Sequence, residues 1–313
     1  AASDVYKRQI LITGGAGYIG SVLVPELLQD GHNVTVLDNF IFGQSSLNHV
    51  CYHPNFRVYR GDVRIEADML PLMKDADIII PLAAYVGAPF CDRDPIGATT
   101  TNKDAIFMMM KYLDKDQVVI MPTTNSAYGT GDNCTEESPL NPISRYAIDK
   151  VEVEKVLMNH SNATSLRLAT VFGMSPRMRI DLLVNDMTYR AVYDGFVVLF
   201  ESHFKRNYIH VRDVVQAFKM AIAQETMRGQ IYNVGLSSAN VSKRELCDII
   251  KTYVPRFEIV EAEIGKDKDQ RNYVVSNKKI ELEGFEPNYN LSNGIQELLK
   301  GFTMIKNTKY GNV

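Results

Sequence analysis

The sequence lacks several features that mark particular classes of protein. No apolar run approaches the roughly 18 residues that a membrane-spanning helix needs. Lys and Arg together number 34 against 37 Asp and Glu, so there is no basic surplus to bind nucleic acid or an anionic membrane surface. The four cysteines include no Cys-x-x-Cys pair, which disfavours a zinc cluster or a disulfide framework. We therefore expect a cytoplasmic globular protein with no metal centre, no nucleic-acid partner and no membrane partner.

The first nine residues differ from the rest of the chain. They contain no signal-peptide apolar region, and residues 4–9 read like a translated sequencing adapter. We expect residues 1–9 to be a non-native leader. The total of 313 residues predicts one large α/β domain with an appendage, or two domains, because a single hydrophobic core rarely organises so much chain.

From Ile10 onward, short branched apolar runs alternate with longer amphipathic segments. The apolar runs predict strands at 10–12, 34–37, 56–59, 78–80, 118–121, 166–168 and 231–234. The segments between the early runs predict helices at 18–29, 69–74 and 102–112. Strand–helix alternation of this kind indicates right-handed βαβ units. The predicted fold is α/β, a Rossmann-type doubly wound parallel sheet followed by a smaller C-terminal α/β region.

A glycine-rich segment, Thr-Gly-Gly-Ala-Gly-Tyr-Ile-Gly at 13–20, follows the first predicted strand and opens the first predicted helix. Backbone N–H groups and the helix dipole at such a turn receive a pyrophosphate. Asp38 ends the second strand and predicts a ribose contact. NAD is favoured over NADP because no Lys or Arg occurs between Asp38 and Arg57. The predicted cofactor-binding residues are Gly14, Gly17, Tyr18, Ile19, Gly20, Asp38, Asp62, Val63, Leu82, Ala83 and Ala84.

Tyr146 and Lys150 are four residues apart and share one face of a predicted helix. Lowering a tyrosine pKa from about 10 to about 7 takes about 4 kcal/mol. An ammonium about 4 Å away supplies about that much at an effective dielectric constant of 20. The pair therefore suits a base that removes an alcohol proton while hydride leaves the same carbon. The spacing alone also fits an exposed helical ion pair.

Several further motifs accompany this pair in order. They include Pro-Thr-Thr-Asn-Ser-Ala-Tyr-Gly at 122–129, Leu-Arg-Leu at 166–168 and Arg-Asn-Tyr-Ile-His-Val at 206–211. Together they resemble the extended short-chain dehydrogenase/reductase family of NAD-dependent nucleotide-sugar epimerases, dehydratases and dehydrogenases, over nearly the whole chain from Ile10. The resemblance implies that Thr124 hydrogen-bonds the substrate hydroxyl, that Tyr146 is the base and that Lys150 lowers its pKa, with both Tyr146 and Lys150 also touching NAD. It also implies a homodimer formed through the helices at 102–112 and 146–159.

The residues after Thr124 separate the reactions of this family. Dehydratases carry Thr-Asp-Glu at this point, whereas Asn125 and Ser126 cannot do their proton chemistry. Oxidation at C4 of the sugar remains, either as a net reaction or as the first half of an epimerisation. The segments 81–89, 134–140, 175–186 and 199–201 resemble the GDP-heptose 4-dehydrogenases of bacterial capsule biosynthesis, which implies a GDP-heptose or related GDP-sugar substrate and a 2-oxo acid that reoxidises NADH. A nucleotide-sugar 4-epimerase and, more remotely, a non-catalytic NAD-sensing module are the alternatives.

The resemblance also divides the chain into two regions. We predict an NAD-binding domain at 10–172, to which 208–236 returns, and a mainly nucleotide-sugar-binding region at 173–313. The predicted substrate-binding residues are Thr124, Asn125, Arg177, Arg179, Asn185, Arg206 and Arg271. Among them, Arg206 and Arg271 match arginines that bind the diphosphate in relatives, although each also fits a solvated surface charge.

Overall fold

The computed structural model describes residues 7–262, 265 and 271–306. Residues 1–6 of the expected leader lie outside this part of the chain, as do 263, 264, 266–270 and 307–313 of the C-terminal region. The described residues form these strands: β1 (Gln9–Thr13), β2 (Asn33–Asp38), β3 (Phe56–Arg60), β4 (Ile78–Pro81), β5 (Val118–Thr124), β6 (Thr130–Cys134), β7 (Ala163–Leu168), β8 (Thr170–Phe172), β9 (Phe196–Leu199), β10 (Lys205–His210), β11 (Gln230–Val234), β12 (Asn240–Ser242), β13 (Glu258–Glu261) and β14 (Asn272–Val275).

The helices lie between these strands and after them. They are α1 (Gly20–Gln29), α2 (Glu66–Lys74), α3 (Ala88–Arg93), α4 (Pro95–Thr99), α5 (Ala105–Lys111), α6 (Arg145–Leu157), α7 (Leu183–Tyr193), α8 (Val211–Ala223), α9 (Lys243–Tyr253), α10 (Lys278–Leu282) and α11 (Leu291–Phe302). The helix predicted at 102–112 begins instead as a π-helical turn, Thr100–Asp104, which continues into α5. Over the described ranges, every helix is too short or too polar to cross a bilayer.

Seven strands form the central sheet in the order β3-β2-β1-β4-β5-β7-β11, with every neighbouring pair parallel. All seven strands predicted from the sequence are in this sheet. Successive side chains of a strand point to opposite faces, and here both faces are covered. Ile12 of β1 packs in one hydrophobic cluster with residues of α1, while Leu11 packs in a second cluster with residues of α2 and α5. The sheet is therefore the doubly wound α/β architecture that was expected.

In the part of the chain that the structure describes, three small sheets lie outside the central one, with strand orders β12-β10-β8, β13-β9 and β14-β6. Most of their strands carry no sequence pattern that predicts them, because they are short and several are polar, as in the Thr-Gly-Asp-Asn-Cys sequence of β6. The chain returns to the central sheet at β11, which pairs with β7, and α8 packs against α1. This return falls within the predicted segment 208–236, although the division of the chain into two functional regions remains a prediction.

The first strand–helix turn depends on two glycines. Gly14 has φ of +67°, and a Cβ there would lie 2.6 Å from the backbone of Ala83. A Cβ on Gly20 would lie 2.4 Å from the carbonyl oxygen of Gly15. Only glycine allows this close approach between the turn, the start of α1 and the loop after β4. The turn therefore leaves bare backbone at the carboxyl edge of the sheet.

Candidate active site

A cavity of about 890 Å³ opens at the carboxyl edge of the central sheet, between that sheet and the C-terminal region. It brings together most of the predicted site residues, which come from segments far apart in the sequence. Those that line it are Gly14, Gly17, Tyr18, Ile19, Gly20, Asp38, Asp62, Val63, Leu82, Ala83, Ala84, Thr124, Tyr146, Lys150, Arg177, Arg179, Arg206 and Arg271.

Asp38 lies at one end of this cavity, at the last position of β2. Its carboxylate accepts hydrogen bonds from the backbone N–H groups of Ala16 at 3.0 Å and Phe40 at 2.8 Å, and from the side-chain amide of Gln44 at 3.2 Å. Burial raises the pKa of Asp38, and these hydrogen bonds oppose that rise. The carboxylate is thus fixed beside the glycine turn, and the donor-rich bare turn next to a buried acid fits the pyrophosphate and ribose of a dinucleotide.

The catalytic candidates lie farther along the same cavity. Thr124 ends β5, and its hydroxyl donates to Ser126 Oγ at 3.0 Å while accepting from the backbone N–H of Ser126 at 3.1 Å. Tyr146 and Lys150 come from α6, whose first turn is capped by the Ser144 side chain. Lys150 Nζ donates to the carbonyl oxygen of Pro122 at 3.2 Å and lies 6.0 Å from the centroid of the Tyr146 ring.

The sequence model of one family matches residues 10–235, which span the glycine turn, the catalytic candidates and all of the central sheet except Gln9. That family is described as the NAD dependent epimerase/dehydratase family. The chain belongs to it. Membership confirms three predictions: the family, the doubly wound fold and an enzyme activity that depends on NAD.

Other members of the NAD dependent epimerase/dehydratase family are similar over almost their full length. UDP-glucose 4-epimerase of Mycolicibacterium smegmatis is 29% identical, with 93% of this chain and 97% of the relative covered. UDP-N-acetyl-alpha-D-glucosaminuronate decarboxylase of Bacillus cytotoxicus is 26% identical over 96% of this chain and 99% of the relative. The crystal structure of UDP-glucose 4-epimerase with UDP-glucose from Thermotoga maritima has a TM-score of 0.81 and 26% identity, covering 95% of this chain and 99% of that one.

The pKa of Tyr146 is not lowered in the protein alone, contrary to the prediction made from its pairing with Lys150. Burial raises the pKa of Tyr146 to about 12 and lowers the pKa of Lys150 to about 8. The sequence argument counted the attraction between two charges but not the cost of removing each charge from water, and here that cost dominates. Arg179 and Arg271 act in the opposite direction and lower the pKa of Tyr146. Further positive charge is needed before Tyr146 can lose its proton near neutral pH.

The structure also differs from the sequence prediction in the charges around Asp38. Although no cation is near it in the sequence, the pairing of β2 with β3 sets Arg60 opposite Asp38. The Arg60 guanidinium lies 4.8 Å from the centroid of the Phe40 ring, and its positive charge opposes the rise in the pKa of Asp38. Sequence proximity could not reveal this neighbour, because it depends on strand register. The buried carboxylate itself still disfavours a 2′-phosphate at this end of the cavity.

The four predicted arginines occupy two parts of the cavity. Arg206 and Arg271 are adjacent, since Arg206 Nη1 donates to the carbonyl oxygen of Arg271 at 2.8 Å, and Arg271 in turn donates to Ser126 Oγ beside Thr124. Arg179 forms an ion pair with Asp181 at 2.5 Å.

Arg177 lies in the other part of the cavity, with the residues that form the cofactor end. Its guanidinium is 4.4 Å from the centroid of the Phe42 ring, and its backbone N–H donates to Ser21 Oγ at 3.2 Å. This position favours a contact with the cofactor over the predicted contact with the substrate.

Two predicted substrate residues do not line the cavity. Asn185 is fully buried, where it accepts from the backbone N–H of Gly173 at 3.0 Å and donates to the carbonyl oxygen of Arg179 at 2.8 Å. Asn125 is also fully buried, and within the described ranges its side-chain amide has no hydrogen-bonding partner. A direct contact of either side chain with substrate does not fit this arrangement. The resemblance implied the contact of Asn185, whereas in this structure its neighbour Asp186 lines the cavity, as Thr124 and Ser126 do beside Asn125.

Several lining residues were not predicted from the sequence, chief among them Ser126, Asp181, Asp186, Lys243 and Tyr273. Ser126 carried a signal, since it lies two residues after Thr124 in a run of hydroxyl side chains. Asp181 and Asp186 lie in the segment 175–186, Lys243 begins α9 and Tyr273 lies on β14, but no motif assigned a role to any of the four. Among the described residues, no group of three or more His, Cys, Asp or Glu side chains is arranged to hold a metal ion.

Replacing Asp38 with Ala should weaken NAD binding by about 1–3 kcal/mol, because it removes a fixed, charged hydrogen-bond acceptor. The measurement is NAD affinity by titration calorimetry on protein stripped of nucleotide. Asp38→Asn is the matched control: Ala16 and Phe40 donate to different carboxylate oxygens, so the Asn amide keeps an acceptor for one of them and should lose less affinity. Unchanged affinity in Asp38→Ala would mean that the ribose binds elsewhere.

Proposed function

We propose that this enzyme oxidises the C4 hydroxyl of a nucleotide sugar to a ketone, and that the sugar nucleotide is a GDP-heptose or a related GDP-sugar. The observation that carries the proposal is the meeting of Thr124, Tyr146 and Lys150 in the same cavity as the glycine turn and Asp38. A dinucleotide bound on the turn and a sugar bound near Tyr146 would then share one enclosed space.

Each catalytic side chain has a defined task in this reaction. NAD, when bound, accepts the hydride that leaves the sugar carbon. Tyr146 removes the hydroxyl proton, and the positive charge of Lys150 together with that of the oxidised cofactor favours its ionised form. Thr124 would hold the hydroxyl oxygen: its O–H, which rests on Ser126, can rotate to donate to that oxygen and leave the substrate proton facing Tyr146.

The adjacent Arg206 and Arg271 support a diphosphate substrate. Their guanidinium groups line the cavity on the Ser126 side, and arginine forks match the geometry of phosphate oxygens. The relatives named above act on UDP-sugars, and the Thermotoga maritima structure holds UDP-glucose. The preference for a GDP-sugar rests on the resemblance of the segments at 81–89, 134–140, 175–186 and 199–201 to the GDP-heptose 4-dehydrogenases.

Water elimination is disfavoured by the residues that follow Thr124. Asn125 points away from the cavity lining, and the Ser126 hydroxyl accepts from both Thr124 and Arg271. Neither residue is a carboxylic acid that could move a second proton on the sugar. Oxidation at C4 without dehydration therefore fits best.

A nucleotide-sugar 4-epimerase is the second candidate. It is favoured by the Mycolicibacterium smegmatis and Thermotoga maritima relatives, both named as UDP-glucose 4-epimerases and both similar over almost the full chain. The two candidates share the first half-reaction and differ in the fate of the hydride. In the dehydrogenase a 2-oxo acid takes it from NADH, whereas in the epimerase it returns to the sugar.

One experiment separates these functions. The enzyme is incubated with a panel of GDP- and UDP-sugars, with and without 2-oxoglutarate, and the products are identified by mass spectrometry and NMR. A 4-keto sugar whose yield depends on the 2-oxo acid supports the dehydrogenase. A stereoisomer formed without acceptor would instead assign the epimerase, and inactivity on every sugar would count against both.

The proposal also covers the oligomeric state of the enzyme, its cellular compartment and its biosynthetic role. Exposed apolar side chains on α6, Ile148 and Val156, support a homodimer through α5 and α6, which sedimentation velocity would test. A sugar-nucleotide substrate and four unpaired cysteines support a cytoplasmic enzyme. The proposed role there is to supply a keto sugar for capsular polysaccharide biosynthesis.

A further inference from the structure

A buried carboxylate that the proposed chemistry does not use lies two turns beyond the catalytic tyrosine. Tyr146, Lys150 and Glu154 follow one another at intervals of four residues, so they lie on one side of α6. Glu154 is 4% exposed. A charged side chain is almost never buried to this degree unless it is paired and hydrogen-bonded.

Glu154 is saturated with donors from the central sheet. Its Oε2 accepts from the hydroxyl of Thr123 at 3.0 Å and from the hydroxyl of Ser165 at 2.6 Å. Arg167, itself 3% exposed, donates to Oε1 at 2.6 Å and 3.2 Å and to Oε2 at 3.1 Å. Thr123 immediately precedes Thr124 on β5, so one of these hydrogen bonds joins the helix of the catalytic base to the strand of the catalytic threonine.

The far end of Arg167 is fixed as well. Its Nη1 donates to the hydroxyl of Tyr128 at 2.9 Å and to the carbonyl oxygen of Glu136 at 3.1 Å. The Tyr128 hydroxyl donates in turn to Asn233 Oδ1 at 2.7 Å. Arg167 therefore cannot follow Glu154 if the helix shifts, and the carboxylate is held against a rigid part of the sheet.

The geometry points to Glu154 as a positioning residue: through Thr123 and Arg167 it sets the distance between α6 and β5, and so between Tyr146 and Thr124. This role rests on the proposed function of Tyr146 and Thr124. Hydride and proton transfer depend steeply on such distances, and a displacement of about 1 Å can cost on the order of 100-fold in rate. A substrate already bound through its diphosphate would feel the change in kcat more than in KM.

Thr123→Val and Ser165→Ala form a matched pair of variants. Each removes one of the two hydroxyls beside the same carboxylate oxygen; because these hydroxyls also lie 2.8 Å apart, their two protons are shared among three contacts. Only Thr123 adjoins the catalytic threonine. We expect Thr123→Val to lower kcat by about tenfold with KM changed less than about twofold, and Ser165→Ala to stay within about twofold of the wild type in both. Equal effects of the two variants would overturn the positioning role.

A double variant separates position from stability. Glu154→Met with Arg167→Met replaces the ion pair by apolar side chains of similar length, a change that buried pairs often tolerate without loss of stability. We expect a cooperative thermal transition and NAD affinity within about threefold of the wild type, with kcat lowered by about 30-fold or more. A folded double variant with wild-type kcat would overturn the proposal. If this variant does not fold, the comparison of Thr123→Val with Ser165→Ala still tests the positioning role of Glu154.

Hydrogen exchange tests the inference without any substrate. With NAD bound, amide exchange over residues 145–150 should be faster in Thr123→Val than in Ser165→Ala, because only the first releases α6 from the strand of Thr124. Equal exchange in the two variants would overturn the inference. Inactivity of the wild-type enzyme on every nucleotide sugar, together with faster exchange in Thr123→Val, would reject the proposed function and keep the structural role of Glu154.

Discussion

Replacing Tyr146 with Phe should lower kcat for oxidation of the sugar hydroxyl by about 10³-fold, since a positioned general base contributes roughly 10²–10⁴-fold. The phenylalanine ring keeps the packing of the half-buried Tyr146 ring and removes only the group that takes the proton. NAD affinity should change by less than about tenfold, the loss expected for a single hydrogen bond. Single-turnover formation of NADH, followed by absorbance, measures the rate, and NAD titration measures the affinity.

Tyr189→Phe is the control for this variant. Tyr189 lies on α7 outside the cavity lining and packs against Tyr193 and Phe302, so loss of its hydroxyl should leave the rate unchanged. If Tyr146→Phe kept the wild-type rate, Tyr146 would not be the base, and the non-catalytic NAD-sensing alternative would regain support. A parallel loss of rate in both variants would point to a general effect of removing a tyrosine hydroxyl.

The central sheet could be predicted from the sequence because most of its strands, the exposed edge strand β3 apart, are buried on both faces. Continuous branched runs such as 78–80 and 118–121 leave few other structures open. The glycine turn was equally predictable, since Gly14 and Gly20 have no room for a side chain. The short strands β6, β9 and β12–β14 carried no comparable pattern, because tertiary contacts rather than periodicity select them.

The catalytic candidates were predictable as a set, but their electrostatics were not. Spacing brings Tyr146 and Lys150 to one side of α6, whereas their pKa values depend on how much water the folded chain removes from each. The role of Arg60 likewise depends on register between β2 and β3. Asn125 and Asn185 also show what the sequence could not predict. Each is adjacent along the chain to a residue that lines the cavity, yet its own side chain is buried in the protein interior.

Lys150 should make the fold less stable while it makes the reaction faster. Burial lowers its pKa from 10.5 to about 8, so charging the amine in the folded protein at pH 7 costs about 3 kcal/mol. Lys150→Met removes this cost but leaves the Pro122 carbonyl without its donor, a loss of about 1 kcal/mol. We expect the free energy of unfolding at pH 7, measured by urea denaturation without NAD, to rise by about 1–2 kcal/mol. Activity should fall about 100-fold because loss of the Lys150 charge disfavours the ionised form of Tyr146.

The pH dependence of this difference identifies its cause. Below pH 8 the lysine is charged in both the folded and the unfolded protein, so the whole cost is present. Between pH 8 and 10.5 the folded protein releases its proton first, and the wild type gains stability relative to the variant. The advantage of Lys150→Met should therefore shrink as the pH rises toward 10.5. Lys155→Met, which replaces an exposed lysine on the same helix, should change neither activity nor this gap. A constant advantage across the pH range would mean that improved packing, rather than a buried charge, stabilises the variant.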